Sequence, residues 1–436
     1  MMKRYAWLLL IALAWGPMLW AQAESASAPA AEEDFFGTAD VEAVKGAAEK
    51  IDVQQEIEKE RVGLSGILQA NGSYTMTRNF INGSAGSSDN SLGNVMSGDF
   101  LVDVRLKKSF RAFVDLSLGY LAENQTTLLG VKEMFVDFNI ANTVYFRAGK
   151  QVLQWGTGYF WNPTDLINIE HKSFGNLDAL REGVFGLRSD VVFSPRIHLY
   201  TFLNFNAVED ISNAALAARM EFLVGSFEFA FSGWYKSTKI PVFGVDFTAP
   251  LFWSLNLTGE ASLSWGDNQD KMNTTGVIYS IRDKLVPKID VGLSRTFDAF
   301  DVQDRISVNA EFFYNDSGYD EYMFELLSLA NRKVFFSGDY QPGFYGKYYA
   351  ALFVTVNKFI VSDMTLALSG IGNFSDMSGI VMAALSYAPV NNFTVSLQLG
   401  SYVGADNREY TISYNPSSGA LGNNMFVASL GAKVSF

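Results

Sequence analysis

From Val62 to Phe436 the chain alternates apolar with polar or small side chains, segment after segment, at a period of two. Phe100, Val102, Val104 and Leu106 alternate with Leu101, Asp103, Arg105 and Lys107. Ile306, Val308, Ala310, Phe312 and Tyr314 alternate with Ser307, Asn309, Glu311 and Phe313, and Phe393, Val395, Leu397 and Leu399 with Thr394, Ser396 and Gln398. Each stretch reads as a strand with one apolar face. No apolar run after residue 20 approaches the roughly 20 residues a spanning helix needs.

A soluble β-sandwich alternates in the same way, so the connections decide. Short ones are expected near residues 108–109, 141–142, 194–195, 225–226, 249–250, 299–301, 361–362 and 390–391. Longer polar ones are expected at 79–95, 123–127, 153–182, 208–213, 237–239, 267–275, 316–344, 375–378 and 404–424. Short and long alternate along the chain, which implies about 18 strands, within a range of roughly 16 to 20. Residues 277–297 read either as one long strand or as a hairpin around 284–287. The expected fold class is all-β: a transmembrane up-and-down antiparallel β-barrel over residues 62–436, with short turns on the periplasmic side and longer loops outside. A barrel of this size is too wide for side chains alone to fill.

The first 23 residues read as a cleaved signal peptide. Lys3 and Arg4 precede an apolar run from Leu8 to Leu19, and Ala21-Gln22-Ala23 is a small-x-small cleavage site. Residues 24–61 are an acidic extension in which Thr38 or Asp40 would cap a short helix carrying Val41, Val44, Ala48 and Ile51. A solvated periplasmic extension is the simpler reading. A helix inserted into the barrel mouth is the alternative.

Composition excludes several function classes. With no Cys and two His, disulfides, thiolate metal sites and cysteine nucleophiles are ruled out, and no metal or other cofactor is expected. A net charge of −13 offers no basic surface to replace phosphate counterions, so nucleic acid is not an expected partner. The 36 Phe, 19 Tyr and 8 Trp suit an outer wall with interfacial girdles facing outer-membrane lipid.

At the end of the chain Phe426, Ala428, Leu430, Ala432, Val434 and Phe436 form one face, and Ser429, Gly431, Lys433 and Ser435 the other. An amphipathic final strand closing on Phe436 resembles the recognition signal read by the bacterial barrel-assembly machinery. Together with the signal peptide it implies the outer membrane of a Gram-negative-type cell.

Alternation directs Asp103, Arg105, Lys107, Asp115, Asp137, Arg147, Arg188, Asp190, Arg219, Glu221, Glu260, Asp290, Glu311 and Lys347 inward. Near the midplane of the lipid face an Arg or Lys would cost about 2–4 kcal/mol, so these residues imply a wet lumen. Their near-balance of sign implies at most a modest cation preference. Mutual neutralisation in a plugged barrel is the competing reading.

The third external loop carries Trp155-Gly156-Thr157-Gly158-Tyr159-Phe160-Trp161-Asn162-Pro163-Thr164-Asp165, then Glu170, His171, Lys172, Asp178, Arg181 and Glu182. A loop of this length is functional or disordered, and its aromatics favour packing against the barrel wall. Here the chain resembles porins, whose third loop folds inward and narrows the pore. The Trp-Gly-x-Gly-x-x-x-Asn-Pro-x-Asp run also resembles one in uncharacterised porin-like outer-membrane families. The resemblance implies a constriction with Asp165, Glu170, Lys172, Asp178, Arg181 and Glu182 setting a transverse field. Trp155, Tyr159, Trp161, Asn162 and Pro163 would pack the loop. A loop that merely caps the barrel is the alternative.

Enzyme readings are weak. His171 and Ser173 have the spacing used by outer-membrane phospholipases, but they fall in a loop, and a triad needs a fixed base with an orienting third group. His198, between Ile197 and Leu199, reads as a lumen or wall residue, and Asp320-Glu321 as solvated charge. The expected function is therefore non-enzymatic: a channel for passive diffusion of small hydrophilic solutes. The alternatives are a surface-binding barrel using loops 316–344 and 404–424, and a hydrophobic-substrate transporter with residues 38–61 as its hatch. Whether three barrels associate into a homotrimer stays open.

Overall fold

The computed structural model of the protein describes residues 61–436 apart from 82–83, 107–108, 123–124, 169–182, 207, 209, 339, 341–342 and 415–420. The signal peptide and the extension with its helix lie outside the described residues.

Eighteen strands form one closed antiparallel ring. In chain order they are β1 (Arg61–Ile81), β2 (Ser84–Leu106), β3 (Phe110–Leu121), β4 (Thr126–Ile140), β5 (Val144–Gln151), β6 (Val184–Ser194), β7 (Ile197–Asn204), β8 (Ala215–Val224) and β9 (Phe227–Lys236). The ring continues with β10 (Val242–Pro250), β11 (Leu255–Gly266), β12 (Arg282–Ala299), β13 (Val302–Asn315), β14 (Tyr348–Asn357), β15 (Met364–Asn373), β16 (Ser378–Val390), β17 (Phe393–Val403) and β18 (Leu421–Ser435). Each strand pairs with its sequence neighbours, and β1 closes onto β18 from Ile67↔Ser435 to Asn79↔Gly422. A short segment, Ile412–Tyr414, adds to the outer end of β18.

Alternation is the physical cause of this wall. Phe243, Val245, Val291, Leu293, Leu397 and Leu399 stand exposed on one face, while Asp246, Glu260, Asp290, Ser396 and Gln398 are buried on the other. Where the ring is closed the backbone groups pair with both neighbouring strands within the wall, as a bilayer requires. Two of the tight turns at one rim run through left-handed pairs, Ala141-Asn142 and Phe300-Asp301, all with φ between 51° and 61°. That backbone twist matches the twist of the strands it joins.

Two expected boundaries are corrected and one open choice, at residues 277–297, is settled. Residues 79–95 are not a loop: β1 and β2 continue through them, pairing as far as Ile81↔Ser84. Backbone pairing overrides a Gly/Ser/Asn-rich composition there. Residues 249–250 end β10, and the turn follows at Phe252–Ser254, where Trp253 and Ser254 take positive φ. Residues 284–287 form no hairpin; β12 runs unbroken through Pro287. Loop 316–347 holds two helices absent from the sequence reading, α1 (Met323–Leu326) and α2 (Leu329–Gly338).

Candidate functional site

The chain leaves β5 at Gln151 and turns into the ring. Residues 152–168 touch inward groups on strands from β4 round to β14, which places the segment inside the barrel. Val152 N–H donates to Glu133 on β4 at 2.7 Å. Glu260 on β11 accepts from Gly158 N–H at 2.6 Å, Thr164 N–H at 3.2 Å and Thr164 Oγ1 at 2.7 Å, and also from Thr157 N–H. Glu311 on β13 accepts from Phe160 N–H at 2.7 Å, Trp161 N–H at 3.4 Å and Tyr159 N–H. Successive amides turned toward one side form a concavity suited to acceptor oxygens, and here two wall carboxyl groups fill it.

The sequence motif explains the shape. Gly156 has φ of 103°, and a Cβ on Gly158 would sit 2.0 Å from the Trp161 carbonyl oxygen. Only glycine lets the chain fold this tightly back on itself. Asp165 N–H then donates to the Asn162 carbonyl, and the Asp165 carboxylate accepts from Trp155 N–H and from Asn168 Nδ2 at 2.8 Å.

Aromatic packing fixes the rest. Trp161 is fully buried and stacks on Phe313 with centroids 5.6 Å apart, while Tyr159 stacks on Phe353 at 5.2 Å. Trp155, Leu166 and Ile167 pack with Val184, Phe202, Trp234 and Val242. Phe160 and Trp161 pack with Tyr349, Ile371, Ile380 and Met382. The segment thus bridges an inner patch on β6–β10 and another on β13–β16.

Individual register rows of the inner wall are biased in charge, although Asp99, Asp103, Asp115, Glu133 and Asp190 stand on the same strands as the bases. Following strand register, Arg61, Arg105, Arg111, Asp137, Arg147 and Arg188 succeed one another across β1–β6. Across β8–β12 the same tracing gives Glu221, Ala230, Asp246, Glu260 and Asp290. The bases are partly neutralised. Asp103 accepts from Arg105 Nε at 3.1 Å and Arg111 Nε at 2.8 Å, and Asp137 accepts from Arg147 Nε at 2.7 Å. Lys132 lies 2.8 Å from Asp99. In the acidic sector Arg219 bridges Glu221 at 2.8 Å and Asp246 at 2.7 Å. Asp290 is fully buried, and neither of its carboxylate oxygens has a hydrogen-bond partner among the described residues.

No protein-family model matches the sequence, and no curated protein matches it. Solved structures do match. OccK8 (OprE) of Pseudomonas aeruginosa is 9% identical with a TM-score of 0.53, over 86% of this chain and 98% of that one. OccK2 (OpdF) of the same organism is 9% identical at 0.51, over 86% and 97%. OccK5 (OpdH) is 7% identical at 0.51, over 85% and 98%. The likeness is one of fold.

The expected site residues divide into four groups. Asp103, Arg105, Asp115, Asp137, Arg147, Arg188, Asp190, Arg219, Glu221, Glu260, Asp290 and Glu311 all lie on the face opposite the exposed apolar residues. His198 joins them, with Nδ1 3.8 Å from Asp190. Lys347 does not: it stands at the long-loop rim, bound to Asp320, because β14 begins one residue later. Asp165 is inside the barrel, yet its carboxylate staples the segment to itself. Glu170, His171, Lys172, Ser173, Asp178, Arg181 and Glu182, and Lys107, lie outside the described residues. Sequence reasoning missed Arg111 and Asp246. Arg111 sits against an expected turn, and Asp246 lies in a stretch, Val242 to Phe247, whose alternation is the only available sign.

Proposed function

We propose that the protein is an outer-membrane channel for passive diffusion of small hydrophilic solutes, with its lumen narrowed by segment 152–168 of the third long loop. The observation that carries this reading is the docking of that segment on Glu260 and Glu311, within a ring whose inner wall is charged and whose outer wall is apolar. The segment narrows the passage, and the biased rows of bases and acids give a solute with separated charges a preferred orientation as it passes. Passage needs no cofactor and no bond making.

The outward apolar residues meet outer-membrane lipid. The rim with the tight turns and Phe436 faces the periplasm, and β18 is the strand read by the assembly machinery. The test is single-channel recording of the refolded mature chain in a planar bilayer under a salt gradient. Stable open steps are expected, with a reversal potential displaced modestly toward cations. A folded, heat-modifiable barrel that gives no steps overturns the channel reading.

A further inference from the structure

The segment inside the barrel and the loops outside it meet at Gly343, beside the packing of Phe160 and Trp161 with Phe344 and Tyr410. The Gly343 carbonyl accepts Trp161 Nε1–H at 3.1 Å, and its own N–H donates to Glu409 Oε1 at 2.7 Å. Glu409 belongs to the loop between β17 and β18 and is buried. Its second oxygen accepts from the Tyr349 hydroxyl and from Asn373 Nδ2, both at 2.8 Å, and its N–H donates to Asp376 at 2.6 Å. Asp376 in turn accepts from Ser378 N–H and Oγ. Glu409 therefore ties two outer loops to the ends of β14 and β15 through its carboxyl, and to β16 through its N–H and Asp376.

The loops held there are packed, not splayed. Met272, Met323, Phe324, Leu327, Phe335, Tyr345 and Ile412 form a buried cluster drawn from loops 267–281, 316–347 and 404–420. Tyr345, two residues beyond Gly343, lies within it. Phe344 meets Phe313 edge-on at 5.4 Å, and Phe313 is the ring on which Trp161 stacks. Trp161 cannot leave Phe313 without disturbing residues 343–345, and those cannot move without disturbing Glu409.

We propose that Glu409 is the pin of a pH-operated latch that docks the outer loops and, through Gly343 and Trp161, the segment inside the barrel. Burial and the neighbouring Asp376 favour the neutral form of Glu409, while its three hydrogen-bond donors favour the charged one. Burial pushes its carboxyl up to about 8, Asp376 beside it adds to the shift, and the bonds from Gly343, Tyr349 and Asn373 only partly oppose it. Tyr340, Tyr345 and Tyr410 surround the same site. Arg408, the neighbouring base, is turned away, over the Tyr322 ring at 3.5 Å and 3.4 Å from Glu325. A carboxyl that holds its proton more tightly docked than free favours docking at low pH. Docking then weakens by up to about tenfold per pH unit between roughly 4.5 and 8, and levels above that.

The coupling stands independently of the channel reading; only its effect on conductance rests on it. The test is hydrogen exchange of the folded full-length barrel at pH 6 and pH 9, corrected for intrinsic rates and read at residues 157–161 and 343–345. Exchange in both segments is expected to rise together by at least about tenfold at pH 9. Glu409→Gln should remove the pH dependence from 343–345 and reduce it at 157–161, whose amides also rest on the carboxyls of Glu260 and Glu311. Trp161→Phe keeps the stacking ring but loses the donor, and should leave 343–345 pH-dependent while reducing the dependence at 157–161 in the same way. Protection independent of pH in the unaltered protein overturns the latch, as does a Glu409→Gln barrel that responds like the parent. Segments that still move together in Trp161→Phe overturn the relay through Gly343, and this arm decides even if Glu409→Gln does not fold. A barrel that shows the latch but conducts no ions would keep this inference and remove the channel.

Discussion

Gly66 and Phe436 exchange backbone hydrogen bonds at 2.8 and 2.9 Å, and the Phe436 ring occupies the space a side chain on Gly66 would take. A Cβ there would lie 2.6 Å from the ring and 3.0 Å from the Asp99 carbonyl oxygen. The same ring meets Phe100 edge-on at 6.4 Å. The seam between β1 and β18 is thus closed by one aromatic lying over one glycine. Gly66→Val should overpack the seam at a cost of about 1–3 kcal/mol. The readout is the temperature at which the folded, fast-migrating form is lost on gels. A midpoint equal to that of the parent would show that the seam tolerates the side chain and that the packing argument is wrong.

Glu311 is the post for three consecutive amides of the inserted segment. Glu311→Ala leaves the N–H groups of Tyr159, Phe160 and Trp161 without their acceptor, and a buried donor so stranded costs about 1–3 kcal/mol. The wall loses nothing comparable, since its ladder is backbone. We expect a barrel that still folds but conducts more than the parent, because the segment no longer holds against the wall. Equal conductance from a folded variant would mean that the segment does not set the width of the passage.

How much of this was legible in the sequence follows from what forces each feature. A spanning wall must alternate, so the ring of strands and the succession of short and long connections could be counted from residue types. The aromatic, glycine-containing third loop could be recognised as an inward one for a similar reason: its rings needed a surface. Glu260 and Glu311 could be placed on the inner face, but not in their role. They read as lining charges, whereas their oxygens are occupied by amides from a segment roughly a hundred or more residues earlier. No periodicity encodes that partnership. Residues 79–95 misled because glycine and serine carry no alternation even where the backbone is paired. Gly343 and Glu409 lie in loops, where no period exists to mark them.

The outer loops should be most stable in mildly acid solution. Burial works against ionisation of Asp267, but the charges of Lys288 and Lys271 and hydrogen bonds from Ser317 and Gln269 outweigh it and hold its carboxyl below the ordinary value. Its contribution is therefore present above an unfolded value of about 3.9 and lost as pH falls through the lower folded value. Glu409 acts in the opposite sense, with a contribution complete below about 4.5 and lost as pH rises toward about 8. Resistance of loops 267–281, 316–347 and 404–420 to hydrogen exchange should peak between these limits. Protection rising steadily through pH 8 would contradict the sign assigned to Glu409.

Arg147 is where the basic sector is most exposed to a single change. Its guanidinium donates to Asp137 at 2.7 and 3.2 Å and lies over the Phe135 ring at 3.9 Å. Asp137 is 2% exposed, and its other base, Arg111, stands 3.8 Å away. Arg147→Gln would leave a buried carboxylate with one distant counter-charge, a loss of the kind that costs about 3–5 kcal/mol. It would also remove a positive charge from the arginine row of β1–β6. The reversal potential in a salt gradient should shift further toward cations, and the unfolding midpoint should fall. Lys132→Gln is the natural comparison, because the Lys132–Asp99 pair is about a quarter to a third exposed and such pairs contribute only about 0–1 kcal/mol. It should move selectivity in the same direction with little loss of stability. If Arg147→Gln lowers stability and leaves the reversal potential where it was, the arginine row is structural and the ions pass elsewhere in the lumen.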